Sequence, residues 1–307
     1  MSKHVKAEPV NNQGVAKDLI AGTMGGIAQV LVGQPFDIVK VRLQSSDVYK
    51  GGLDCAKRIL KEEGPLAFYK GTAMPLVGIG ACVSLQFAGL AACKNYFTAS
   101  NVRSGKSNPQ NLTPAQLYLS GAGGGILNSV VSGPVEHIRI RLQTQTKAAG
   151  SMYFNGPWDA CKKIYATDGL RGIYFGQGST LLREFHGYGC YFLCYELLVQ
   201  RRMAKDHIER KDIPALDSLL YGALAGYGLW LGGAYPLDAI KSKIQTDGLP
   251  SQGDKRKYNG VLSCIRKTYA AQGLGGFFKG FIPTIIRSPF ANGATFAAFE
   301  ITLRMIS

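Results

Sequence analysis

The strongest constraint on this chain is that it repeats itself three times. The segments PFDIVKVRLQ from Pro35, PVEHIRIRLQ from Pro134 and PLDAIKSKIQ from Pro236 align without gaps, their starts 99 and 102 residues apart. Each is followed by a second matching block: YKGG…EEGPLAFYKG, FNGP…TDGLRGIYFG and YNGV…AQGLGGFFKG. Inside those blocks Gly51 and Gly64, Gly156 and Gly169, and Gly260 and Gly273 are each 13 positions apart. Repetition in phase means one structural unit used three times. The expected organisation is a single domain over 1–307 with repeats at 15–108, 109–212 and 213–307.

Each repeat holds two stretches able to cross a bilayer, which takes about 20 mostly apolar residues. Leu19–Phe36, Gly71–Cys93, Pro114–Val135 and Ser218–Leu237 contain no charged residue. Gly172–Tyr195 is interrupted only by Arg183 and Glu184, and Phe281–Phe299 only by Arg287. Glycines four apart, such as Gly22/Gly26 and Gly222/Gly226, suit close helix packing in lipid. The expected fold is therefore an all-α membrane protein of six transmembrane helices in three repeats with threefold pseudo-symmetry.

Charge gives the orientation. Of 35 lysines and arginines, 21 lie in the loops inside the repeats, at 40–70, 139–171 and 241–279. These loops should face the more negative compartment, with both termini on the other side. Short amphipathic helices, at Leu53–Glu62 and Trp158–Ala166, should lie on that basic surface. The net charge of +15 is dispersed rather than gathered into a tail or face, which argues against nucleic acid as a partner. Seven cysteines show no CxxC or metal-ligand spacing, and Cys190 and Cys194 are one helical turn apart. They read as reduced packing residues, with no metal and no cofactor expected. The glycine run Gly121–Gly125 lacks the strand and the Lys-Ser/Thr of a phosphate loop, and no nucleophile–base pair suggests an enzyme. The first residues, MSKHVKAEPVNNQG, carry neither a signal-peptide core nor an Arg/Ser-rich presequence.

The three P-x-[DE]-x-x-[KR] motifs and the aromatic-x-Gly motifs that follow resemble the mitochondrial carrier family over nearly the whole chain. Finer matches are similar to the carnitine and basic amino-acid carriers; GPVEHIRIRLQTQ and LLREFHGYGCYF resemble the fungal YMC-type branch most. The resemblance implies a multi-pass protein of the mitochondrial inner membrane, matrix-facing basic loops, termini toward the intermembrane space, and alternating access to a midplane site. A monomer is implied, with membrane lipid, cardiolipin included, at the matrix-side helix ends.

Pro35, Pro134 and Pro236 should kink the odd helices, and an acid and a base three residues apart stand just beyond each kink. The family pattern pairs Asp37 with Arg139, Glu136 with Lys241, and Asp238 with Lys40 as a matrix gate. Gln44, Gln143 and Gln245 match its glutamine brace. The cytosolic ring departs from the pattern. Ala91, Val199 and Leu303 replace charged positions, leaving Lys94–Glu300 as the one expected bridge and a resting state open to that side.

Ionisable residues inside a membrane usually face a pathway, which singles out Arg183, Glu184 and Arg287. By the resemblance, Arg183 with Glu184 is the second substrate contact and Arg287 the third. Gly78 with Ile79 is the first, and Trp230 lies near the site. An arginine can clamp a carboxylate, Glu184 can take an ammonium, and Trp230 can add a cation–π contact. A zwitterion therefore fits better than a dianion or nucleotide. His186 replaces a proline of close relatives and is either a proton-coupling or a packing residue; Gln29, Gln86 and Asn128 are secondary polar candidates. The expected activity is transport of small amino acids or related zwitterions, with acylcarnitine exchange as the alternative. Exchange is the expected mode by family analogy.

Overall fold

The computed structural model describes residues 12–145, 153–249 and 256–306. The segment before residue 12, and with it the side assigned to the N-terminus, lies outside the described residues. Those residues contain helices and no strand. Long helices are α1 (Asn12–Ser45), α3 (Ala73–Arg103), α4 (Pro114–Thr144), α6 (Gln177–Asp206) and α10 (Phe281–Ile306). The remaining long rod is built in pieces: α7 (Ala215–Leu229), a π turn (Trp230–Ala234) and α8 (Tyr235–Gln245). Three shorter helices, α2 (Gly52–Glu63), α5 (Pro157–Ile173) and α9 (Val261–Gln272), follow the odd rods at the same end. The two amphipathic helices expected from sequence are α2 and α5.

The six rods pack side by side: α10 along α1, α3 along α4, α4 along α6, and α6 along α7. Large apolar side chains such as Val77, Phe87, Val130, Ile282 and Phe290 are exposed on the outside to about half or more, as a lipid-facing surface requires. Among the described residues one helical stretch, Pro65–Arg103, is long and apolar enough to cross a membrane by itself, with mean hydropathy 1.9. The other spans are less apolar because their inner faces carry the motif charges and hydrogen-bonding side chains.

No single core fills the centre. Each repeat instead builds a small one at the motif end, such as Ile38, Leu43, Cys55 and Ile59 between α1 and α2. Its counterparts gather around Ile138, Leu142 and Ile164, and around Ile240, Ile244 and Cys264. The aromatic-x-Gly motif links each repeat to the next. Gly71, Gly176 and Gly280 have φ of 79°, 80° and 81°, a left-handed conformation that favours glycine. A side chain on Gly71 would meet the Arg139 carbonyl at 3.1 Å, one on Gly176 the Gln245 side chain at 2.9 Å, and one on Gly280 the Lys40 carbonyl at 3.0 Å. Each even helix thus starts against the end of the next odd helix, and the third contact closes the circle.

The π turn has a cause in the sequence. Nine positions separate Gly26 from Pro35 and Gly125 from Pro134, but ten separate Gly226 from Pro236. A π turn absorbs one extra residue without ending the helix. It keeps Asp238 and Lys241 in step with the motifs of α1 and α4, at the cost of placing Gly233 at φ 98°.

Alanine at Gly233 should lower the melting temperature in detergent, since a Cβ at positive φ costs about 1–2 kcal/mol. Alanine at Gly226, where a Cβ meets nothing within 4 Å, should leave it unchanged or raise it. Equal melting of the two variants would remove the strain argument.

At the motif end, Glu63 on α2 receives Arg42 of α1 and Lys70. Burial pushes the Glu63 carboxyl up, but hydrogen bonds from Arg42 and Lys70 outweigh it and hold it below the usual glutamate range. A depressed carboxyl stabilises the fold fully above its unfolded value, about 4.3, and the contribution is lost as pH falls through the lower folded value. Glu63→Gln should therefore melt lower than wild type at neutral pH and converge with it in acid; a gap independent of pH would contradict this.

Candidate functional site

At the kinks the three motifs converge. Asp37 meets Arg139, Glu136 meets Lys241 and Asp238 meets Lys40, each at 2.6 Å. Every pair joins one odd rod to the next, because the acid and base of a motif stand three residues apart and flank the same inward face. Asp238 and Lys241 are almost wholly buried, so each requires its partner.

Different groups steady each pair. Gln44 donates to Asp238 at 3.3 Å and to the Tyr235 hydroxyl at 3.3 Å, as the brace reading expects for that pair. Gln143 and Gln245 depart from it. Gln245 donates to Thr180 at 3.0 Å, and the buried Gln143 amide nitrogen contacts no acceptor among the described residues. The Asp37–Arg139 pair is held instead by Gln34, the residue before the kink proline, whose carbonyl oxygen accepts from Arg139 at 2.7 Å. Lys40 is further held by aromatic faces: its Nζ lies 4.8 Å from the Trp230 ring centre and 5.7 Å from that of Tyr235.

Both membrane-embedded arginines reach into this layer. Arg287 Nε lies 2.9 Å from Asp37. Arg183 pairs with Glu184, and stands 3.5 Å from Asp238 and 3.9 Å from Glu136. A cavity of about 160 Å³ is lined by the ring together with Arg183, Arg287 and Trp230. A second, of about 420 Å³, shares Trp230 and Arg287 and is otherwise bounded by Gln29, Tyr191, Asn292 and the small residues of α7. Arg287 and Trp230 are thus the wall between ring and open cavity.

Other expected site residues lie elsewhere. Gly78 is a packing position: a Cβ there would touch both Val135 methyls at 3.1 Å. Ile79 lines an apolar groove between α1 and α3, with Gly22, Gly26 and Val83. Glu184 is 1 % exposed, between Arg183 and the Asn128 amide, which donates at 3.1 Å; it lines neither central cavity. The Trp230 face expected to receive a substrate cation holds Lys40. His186 bonds the Tyr118 hydroxyl at 2.8 Å across the α4–α6 interface and lines neither central cavity. Lys94 does not pair with Glu300: it binds Glu196 on α6, which Arg210 also holds at 3.0 Å. Glu300 bonds Arg304 one turn along α10. Sequence reasoning missed Gln34, Tyr191, Arg210 and Asn292. For Asn292 the available signal was a lone amide five residues beyond Arg287 in an apolar span.

Removing Lys241 leaves Glu136 with only Arg183 at longer range, and losing a charge-assisted hydrogen bond costs about 1.5–3 kcal/mol. Lys241→Gln should therefore melt well below wild type in detergent, and the double variant Glu136→Gln/Lys241→Gln should recover much of the loss. A double variant as unstable as the sum of the singles would show that the pair is not coupled.

A family model described as mitochondrial carrier protein matches residues 11–101, 110–206 and 211–307. The chain is 49% identical over 302 residues to the glutamate/glycine mitochondrial carrier of Schizosaccharomyces pombe, covering 95% of this chain and 97% of that one. It is 48% identical over 298 residues to the mitochondrial glycine transporter YMC1 of Saccharomyces cerevisiae, covering 96% and 93%. Against the mitochondrial basic amino acids transporter of Bos taurus it is 38% identical over 294 residues, covering 94% and 92%. A threefold repeat closed by three ion pairs, matched by the family model in all three units, makes this chain a member of the mitochondrial carrier family.

Proposed function

We propose that this carrier moves small amino acids across the mitochondrial inner membrane by alternating access, with the substrate carboxylate received by Arg287. The ring pairs Asp37–Arg139, Glu136–Lys241 and Asp238–Lys40 act as the matrix gate, the intra-repeat loops face the matrix, and both termini face the intermembrane space. The carrier works as a monomer in contact with lipid, cardiolipin included, at its matrix-side helix ends.

The observation that carries the reading is the position of Arg287. Its guanidinium stands between the two cavities, and its acid, Asp37, is shared with Arg139. A carboxylate can therefore take Arg287 while Asp37 keeps a cation, so binding breaks no obligatory pair. Guanidinium–carboxylate pairing is also the geometry best suited to an α-carboxyl group. The relatives named for glutamate and glycine, at 48–49% identity, support amino acids as the cargo. Acylcarnitine exchange gains no such support.

The test is uptake of labelled glycine into liposomes holding the purified carrier. Arg287→Ala should lower it at least about tenfold, the loss expected for a charge-assisted contact. Undiminished uptake by that variant would remove Arg287 from the site, and uptake of no amino acid would overturn the reading.

A further inference from the structure

We propose that the layer around Arg287 carries one uncompensated positive charge and therefore ranks amino acids by net charge, with acidic side chains first, neutral next and basic last. This rests on the amino-acid reading above.

The ring pairs cancel one another, three acids against three bases. Arg183 is cancelled by Glu184, with which it forms a direct ion pair. Arg287 has no acid of its own: the one it touches, Asp37, already answers Arg139. Arg42, Arg141 and Lys243, two residues beyond the ring bases at the motif end, line neither central cavity, and nor do the charges toward the other end of the rods. Lys94 and Arg210 hold Glu196, Arg202 holds Asp217, and Arg304 holds Glu300.

Closing the cavity around a substrate removes water, and net charge then becomes costly. A neutral amino acid brings one carboxylate and one ammonium, and the closed layer keeps its surplus. An acidic amino acid brings one negative charge more and makes the layer neutral. A basic one doubles the surplus. Its side chain also finds no counter-charge: the 420 Å³ cavity is lined by neutral side chains apart from Arg287 itself. At the effective dielectric of such sites, one unpaired charge within several ångströms of another is worth at least about tenfold in affinity.

Asn292 supplies the complementary test. It lies on the wall of the larger cavity and its side-chain oxygen accepts from Gln29 at 3.4 Å, a bond that an aspartate would keep. In liposomes taking up labelled glycine, external glutamate should compete at least about tenfold more strongly than lysine, with alanine between them. Asn292→Asp makes the layer neutral before substrate arrives, and should shift the glutamate-to-lysine ratio toward lysine by at least about tenfold. Lysine competing as well as glutamate in the wild type would overturn the proposal. So would an unchanged ratio in an Asn292→Asp carrier that still takes up glycine. If that variant does not fold, the wild-type order decides alone. Glycine uptake with the wrong order sinks this inference and leaves the amino-acid reading standing; absence of any amino-acid uptake sinks both.

Discussion

Three ion pairs at the helix kinks are the constraint from which the rest of this structure follows. A charge inside a bilayer is tolerable only when paired or hydrated. Each acid here finds its base on the next odd rod rather than on its own, so no single repeat satisfies its own charges and all three must close together. The aromatic-x-Gly contacts obey the same rule, each even rod starting on the neighbouring repeat's odd rod. The small cores beside the ring also cross between repeats: Leu249 packs into the core around Ile138, and Phe175 into the one around Ile240. Adhesion between repeats at the motif end is therefore apolar as well as electrostatic.

The proposed substrate site is part of the same electrostatic layer. Arg287 touches Asp37, and Arg183 stands near both Asp238 and Glu136, so the arginines that would meet a carboxylate are also ligands of the ring acids. A carboxylate placed on Arg287 draws it away from Asp37 and weakens one corner of the ring without stripping it. On that proposal, occupancy and closure are linked by direct competition for one guanidinium, with no relay through intervening residues. Ligand-driven switching needs a difference in interaction between the two states, and that competition provides one.

Much of this could be read from the sequence alone. The repeat and the six spans follow from motifs in identical phase, and the three ring pairs from the family pattern that those motifs resemble. The readings that departed from the structure were those that carried the symmetry too far. Gln44, Gln143 and Gln245 share a phase, but only Gln44 faces an acid; Gln245 finds Thr180, and Gln34 supplies the brace for Arg139. Lys94 was matched to Glu300 by repeat position, whereas the structure pairs it with Glu196 of α6. Glu184 was assigned to the pathway because it is charged, yet its neighbours Arg183 and Asn128 satisfy it between helices. Position within a repeat specifies which way a side chain faces on its own rod. It does not specify the distance to the next one.

The third repeat also breaks the symmetry of the backbone. An extra residue between Gly226 and Pro236 forces the π turn, and the π turn presents Trp230 at the mouth of the ring with Lys40 against its face. The equivalent stretches of α1 and α4 run through their prolines as continuous helix. One kink of the three is therefore capped by an aromatic side chain that borders both the ring and the open cavity. A strictly threefold ring would offer a substrate three equivalent approaches. With Trp230 and Arg287 adjoining on one side, and packed side chains at the Gly78 position on another, the site is one-sided, as binding a small asymmetric molecule in a single orientation requires. The repeats build the barrel, and the places where they differ build the site.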